Sequence, residues 1–385
     1  MQRHINRREF LKGLGVAAAG YYFRPPDLLA VTSAPTAPVA VAKCSTYGPE
    51  VRATLATMFD QLGGLQRLVK GKTVAVKLNL TGTIAMRMSG MPLERTHWVH
   101  PEVVGSTISL LDRAGARRIR ILESTLTPAE SFEEFLLEAK WNPRDLLGAA
   151  SGVELENTNY PGRTGKYVRL PVPGGGMVFK AYDVNRSYLD CDVYVSLGKL
   201  KEHSQGGVTL SMKNSSFGIP PCTIYGDGAG TDEPSKIVKG ARVMLHDGKR
   251  QPSKTALPEI DPTSPRDHGY RVPRVTVELV AARPIHLAII DGIETVAGGE
   301  GPWIRGTRPV RPGLLVAGTN CVTTDAVATA LMGFDPMADR GTPPFEICDS
   351  TLRLAEKLGI GTRDLRRIEV LGTPIAKGRF DFRRS

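Results

Sequence analysis

Residues 190–218 read DCDVYVSLGKLKEHSQGGVTLSMKNSSFG. Val193, Tyr194, Val195 and Leu197 form a short apolar run of β-formers, the composition of a strand buried on both faces in a parallel sheet. The run ends in Gly198-Lys199-Leu200-Lys201-Glu202-His203, a polar and mostly cationic cluster. Gly206 and Gly207 follow, and Val208 to Asn214 is expected to open a helix. In an open α/β sheet, ligands bind in the crevice at the carboxyl ends of the strands. Two lysines and a histidine at such an end suit an anion, and the glycines let backbone N–H groups approach it. Lys213 and Asn214 add a second polar pair a turn or two later. The plain alternative is a solvated loop carrying ordinary surface lysines.

The flanking chain alternates in the same way. Val39 to Lys43 is strand-like, and Pro49 to Leu62 is helical, with Val51, Leu55, Met58, Phe59 and Leu62 on one face. Thr73 to Leu80 is a strand whose end carries Lys77 and Asn79. A loop with His97 and His100 leads to Pro101, which suits the first turn of a helix reaching Arg113, and Arg118 to Leu122 is a strand ending in Glu123. Ser131 to Lys140 reads as helix and Gly162 to Phe179 as a hairpin. Val272 to Ala282 reads as helix, Ile285 to Ile290 and Gly313 to Ala317 as strands. A helix is expected from Thr323-Thr324-Asp325 through Met332, another over Phe345 to Leu358, and a last strand over Arg367 to Leu371. This rhythm predicts an α/β fold with a mainly parallel, doubly wound sheet, helices on both faces and long loops over the carboxyl edge. Pro220 to Pro234 and Lys249 to Arg271 are those loops. Residues 38–373 form one domain in this reading, with a basic tail over 374–385.

The central stretch resembles the family called domain of unknown function 362. Its members carry an apolar strand, a P/G-K-L-K-x-H turn and a T-x-x-x-K-N-x-x-G continuation. Here these are Gly198-Lys199-Leu200-Lys201-Glu202-His203 and Thr209 through Lys213-Asn214 to Gly218. Asp291-Gly292 with Glu300-Gly301-Pro302, Asp325-Ala326-Val327 with Leu331 to Pro336, and Thr96 to Glu123 match the same family, so the resemblance spans roughly 39–372. It picks positions and assigns no reaction. Some relatives carry an appended ferredoxin-like cysteine run, which implies a redox theme and an exported redox partner. This chain has five widely spaced cysteines and no C-x-x-C, so it lacks a local iron–sulfur or zinc motif.

With 385 residues, 41% of them hydrophobic and 23% charged, the chain has ample material for a core. Its formal charge of +11 is spread without basic runs or interleaved aromatics, which argues for an anionic small molecule and against nucleic acid. Part of that charge lies in residues 1–34. There Asn6-Arg7-Arg8-Glu9-Phe10-Leu11-Lys12 resembles a twin-arginine export signal, and Gly13 to Phe23 is apolar yet too short to span a bilayer. The twin-arginine translocation machinery is therefore the expected partner of Arg7 and Arg8, and the expected location is periplasmic or otherwise extracytoplasmic. Cleavage is expected near Ala34, with an uncleaved anchor as the alternative. That pathway carries folded proteins, which favours a cofactor or metal loaded beforehand.

With the strands parallel, Lys77, Asn79, Glu123, the 199–203 cluster, Asp291 and Glu294 emerge at one edge. Singly, each has a structural explanation: a capping histidine, a solvated lysine. Together they make a site for an oxyanion and a divalent cation. Lys199, Lys201 and His203 are the candidate catalytic residues, Lys199 and Lys201 as point charges and His203 as a general base or metal ligand. Lys77, Asn79, Lys213 and Asn214 are candidate anion ligands, and His97, His100, Glu123 and Glu300 candidate metal ligands. The expected function is an exported, metal- or cofactor-dependent enzyme acting on an anionic small molecule. The alternative is a non-catalytic ligand-binding or cofactor-handling accessory protein of an exported redox system.

Overall fold

Eight strands pair into one sheet in the computed structural model, which describes residues 33–126, 131–226, 242–248 and 257–383. They are β1 (Val39–Lys43), β2 (Thr73–Lys77), β3 (Arg118–Glu123), β4 (Val153–Asn157), β5 (Val193–Lys199), β6 (Leu287–Gly292), β7 (Leu314–Gly318) and β8 (Val370–Gly372). Their order across the sheet is β8-β1-β7-β6-β5-β2-β3-β4. The helices that cover it are α1 (Glu50–Gln61), α2 (Pro101–Arg113), α3 (Phe132–Glu138), α4 (Met212–Phe217), α5 (His268–Ala282), α6 (Cys321–Leu331) and α7 (Thr351–Lys357).

Side chains alternate across a strand, and here each face has its own core. Val74, Val76, Val193, Val195 and Leu197 pack with α1, α2 and α3 on one face. Ala75, Tyr194, Ala288, Ile290 and Val316 pack with α4, α5, α6 and α7 on the other. Both faces are buried, so the strands read as continuous apolar runs.

β7 is the exception to parallel order, running antiparallel to both β1 and β6. A parallel return needs a crossover of a dozen or more residues, usually a helix. The chain between β6 and β7 instead forms a small ribbon, Thr295–Ala297 against Arg308–Val310, and re-enters from the edge it left.

Other expectations shift by a few residues. α5 starts at His268 because the Asp267 side chain accepts the Tyr270 N–H. The helix expected over Phe345 to Leu358 begins only at Thr351, capped by Ser350, after Pro343-Pro344 has held the chain out of helix. The expected hairpin over 162–179 forms as a ribbon of Val168–Pro171 with Ala181–Val184. The last strand lies at Val370–Gly372. The basic tail docks as far as residue 383. The Phe380 and Phe382 N–H groups donate to Leu331 and Met332 carbonyls, and Phe382 is buried. Residues 227–241 and 249–256 of the two long loops, and the twin-arginine segment, lie outside the described residues.

The sheet reverses its winding between β2 and β5. From β2 the chain proceeds outward to β3 and β4, and from β5 it proceeds the other way to β6. The loops leaving β2 and β5 diverge there and leave a crevice at their carboxyl ends, the usual place for a ligand in such folds.

Candidate functional site

That crevice holds a cavity of about 480 Å³. Its wall combines residues at or just beyond the end of β2 (Lys77, Asn79) and of β3 (Glu123, Ser124) with residues after β5 (Lys201, His203, Lys213, Asn214) and after β6 (Glu300, Trp303). Arg242 and His246 close it from the segment between the two long loops.

The lysines on this edge differ in how they are satisfied. Lys77 forms a buried ion pair with Glu123 at 2.6 Å and donates to the Leu78 carbonyl. Glu123 also accepts the Leu80 and Ser124 N–H groups, so both partners are saturated. A Cβ at Gly218 would collide with the end of the Lys77 side chain and crowd the Asn214 carbonyl, so the glycine gives the ion pair its room. Lys201 is fully buried and donates to the carbonyls of His97 (2.7 Å) and Glu300 (3.1 Å), which ties the β2 loop to the β6 loop. Burial pushes its ammonium well below the ordinary range. Lys213 is half-buried, with its Nζ 4.1 Å from the centre of the Phe217 ring, and it has no hydrogen bond or ion pair among the described residues. Burial is the first reason its pKa falls to about 7. Glu300 opposes that shift, and the charges of Arg242 and Lys77 add to it.

Two of the three histidines on the wall, His203 and His246, present opposite hydrogen-bonding roles. His203 Nδ1 accepts the Gln205 N–H at 3.1 Å, so the neutral ring carries its proton on Nε2. His246 Nδ1 lies 3.2 Å from the Arg242 carbonyl, which can only accept, so its Nε2 is the free acceptor. Burial lowers both rings below the ordinary histidine value, keeping them neutral. Glu300 accepts from Ser204 N–H (2.7 Å), Ser204 OH (3.0 Å) and Trp303 Nε1–H (3.0 Å). Burial alone would raise its carboxyl. Its proximity to His203 and these donors reverse that shift and hold it low.

Asn79 and Asn214 join through the Asn79 amide at 3.0 Å, and Asn214 also donates to Ser196. The side-chain Oδ1 of Asn79 is buried without a partner. Asp325 organises this wall from a distance. The side chain of Asn320 caps its own helix, α6, while Asp325 accepts the Ser211 and Met212 N–H groups at 2.9 Å each and the Ser211 hydroxyl at 2.5 Å. It thereby seats the start of α4, the helix of Lys213 and Phe217.

The geometry does not gather all the expected site residues. Lys199 does not line the cavity. It is fully buried and paired with Asp291 at 2.8 Å, and it also donates to Tyr47 OH and the Glu94 carbonyl. Register causes this, since Lys199 on β5 lies directly opposite Asp291 on β6. His100 belongs to the same cluster. Its ring stacks on Tyr47 at 3.6 Å and its N–H donates to Asp291 at 3.0 Å. Its Nδ1 accepts the Glu102 N–H, capping α2. His97 is buried against Trp303 with its Nε2 unpartnered, while Glu123 and Glu300 are held as described above. The four expected metal ligands therefore do not converge, and no group of three His, Cys, Asp or Glu side chains among the described residues is arranged to hold a metal ion. Sequence reasoning does not single out Arg242, His246 or Trp303, and it reads Asp325 only as a residue at the start of a helix, whereas Asn320 is the cap and Asp325 binds the start of α4. Arg242 and His246 sit among loop residues without a motif, and Asp325 is distant in sequence from the helix it seats.

His100 carries a pH prediction. Burial is the main reason its pKa is lowered to about 4 from 6.5, with Lys199 adding to the shift and Asp291 opposing it. The unfolded chain then takes up a proton that the fold refuses, so stability falls as pH drops from about 6.5 towards 4. Asn caps a helix equally well. In urea titrations His100→Asn is expected to lose less stability across this window than the wild type. Parallel pH profiles of the two proteins would rule this out.

The sequence profile described as domain of unknown function (DUF362) matches residues 74–330. The chain belongs to this family. The matched segment of this DUF362 protein runs from β2 to α6 and contains every residue named above on the cavity wall. A thylakoid-associated protein of Synechocystis sp. is 25% identical over 291 residues, covering 74% of this chain and 70% of that protein. No helix among the described residues is long and apolar enough to cross a membrane.

Proposed function

We propose that this DUF362 protein is exported and binds an anionic small molecule, carrying a carboxylate or phosphate, in the cavity at the β2–β5 switch point. The observation that carries this reading is Lys213, a cation at the cavity wall with no neutralising partner among the described residues. Arg242, the His203 Nε2–H and the Asn79–Asn214 pair surround the same space and supply further polar groups. A buried charge without a counter-ion is costly, and an anionic ligand removes that cost. Lys213→Met keeps the packing on Phe217 and removes the charge. It is expected to leave stability unchanged or raise it, because the uncompensated charge is gone, while weakening the binding of pyridoxine 5′-phosphate or citrate tenfold or more. Calorimetric titration of both proteins tests this, and equal affinities would move the site elsewhere.

Export through the twin-arginine machinery is supported by Arg7-Arg8 followed by Phe10-Leu11-Lys12 and the short apolar stretch. Replacing Arg7 and Arg8 together by Lys is expected to leave the protein in the cytoplasm on cell fractionation. Undiminished periplasmic delivery would remove this part of the proposal.

A second reading, a ligand-handling accessory protein working at a membrane surface, is supported by the thylakoid association in the relative's name. Recovery with washed envelope membranes, released by salt, would favour it. Recovery in the soluble periplasmic fraction would not.

A further inference from the structure

The lysines on this sheet edge fall into two classes. Lys77, Lys199 and Lys201 have their ammonium groups taken up by carboxylates, a hydroxyl or carbonyls. Lys213 has none of these. It borders the cavity, its amine lies over the apolar face of Phe217, and Lys77 and Arg242 share the wall with it. A lysine in an apolar setting beside other cations has its neutral amine favoured, and the neutral amine is the nucleophile.

We propose that Lys213 condenses with the carbonyl carbon of an aldehyde or ketone that also carries a carboxylate or phosphate, forming an imine in the cavity. This rests on the anion-binding reading above and names the substrate class of that site. The nitrogen lone pair attacks the carbonyl carbon, and the carbonyl π pair moves to oxygen, which takes one of the amine protons. The C–O bond then breaks and the hydroxyl leaves as water with the second amine proton. One carbonyl and one amine give one imine and one water, with no oxidant or reductant. Two neutral imidazoles on the wall suit the proton movements. The free Nε2 of His246 accepts a proton and the Nε2–H of His203 donates one. The lowered pKa of Lys213, about 7, leaves a large share of neutral amine at physiological pH. An ordinary lysine near 10.4 is almost wholly protonated there.

The probe is pyridoxal 5′-phosphate, an aldehyde carrying a phosphate. It is added to the full chain, reduced with borohydride, and located by peptide mass mapping. Label is expected on Lys213, at least about tenfold faster than on any surface lysine. Lys213→Arg keeps the charge but cannot form the imine, so it should lose this label and still bind pyridoxine 5′-phosphate, which has no carbonyl. Label spread over surface lysines and unchanged in Lys213→Arg would overturn the inference. If pyridoxine 5′-phosphate binds the wild type while Lys213 stays unlabelled, the imine fails and the anion site stands. If Lys213 is labelled as fast by pyridoxal as by its phosphate, and pyridoxine 5′-phosphate does not bind, the anion reading fails and the nucleophile stands. Neither binding nor label removes both.

Discussion

Asp291→Ala is expected to cost about 3–5 kcal/mol of folding stability, the loss that follows when one partner of a buried ion pair is removed. Lys199 would keep its ammonium in a site with no solvent access. The His100 and Ile293 backbone N–H groups would lose their acceptor as well, and the Tyr47 hydroxyl would keep only the Glu294 carbonyl. Domains of this kind are stable by only about 5–15 kcal/mol, so the variant should be marginal at 37 °C. The double change Lys199→Met with Asp291→Leu should recover most of the loss, because apolar replacements of similar size leave no buried charge. Urea denaturation of the wild type and the single and double variants measures this. If Asp291→Ala melts like the wild type, Lys199 is not held as described and becomes available for ligand chemistry again.

Asp325→Ala is expected to cost roughly 3 kcal/mol or more, since each of three buried donors left without an acceptor costs about 1–3 kcal/mol. The Ser211 and Met212 N–H groups and the Ser211 hydroxyl are the donors concerned. Asp325→Asn should fall between, keeping one acceptor oxygen but turning an amide N–H₂ towards another donor. The sign of the pH dependence follows from the raised pKa. Burial lifts the carboxyl to about 7 from the ordinary 3.8, against the lowering effect of its Ser211 and Met212 donors. Its contribution is therefore fully present below pH 4 and declines as pH rises through 7. The difference between wild type and Asp325→Ala should be larger at pH 5 than at pH 8. Because α4 carries Lys213 and Phe217, the same variant should weaken ligand binding even where it remains folded. A stable Asp325→Ala protein with unchanged affinity would show that α4 is seated by packing alone.

Much of this molecule was legible in the sequence for a simple reason. A strand buried on both faces must be an unbroken apolar run, and the residue types that interrupt it mark its end. TVAVK, VYVSLGK and LAIIDG therefore declared themselves as strands, RIRILE did so by alternating Ile with half-buried Arg, and in a parallel sheet their carboxyl ends share an edge. That shared edge puts Lys77, Glu123, Lys201 and His203 around one space. Tertiary structure alone decided what each residue does there. Lys199 and Lys201 stand two residues apart, yet strand register sets Lys199 against Asp291 in the core, while Lys201 reaches the cavity. His100 went to a helix cap and a tyrosine ring, and the expected metal site lost its members to separate partners. β7 reversed direction because the chain after β6 formed a ribbon and supplied no helix for a parallel return. Arg242 and His246 arrive from a segment with no periodicity or motif, and Asp325 acts on a helix more than a hundred residues away. Period and composition are local properties of a chain. Register, pairing partner and the satisfaction of a buried charge are set by whatever folds against it.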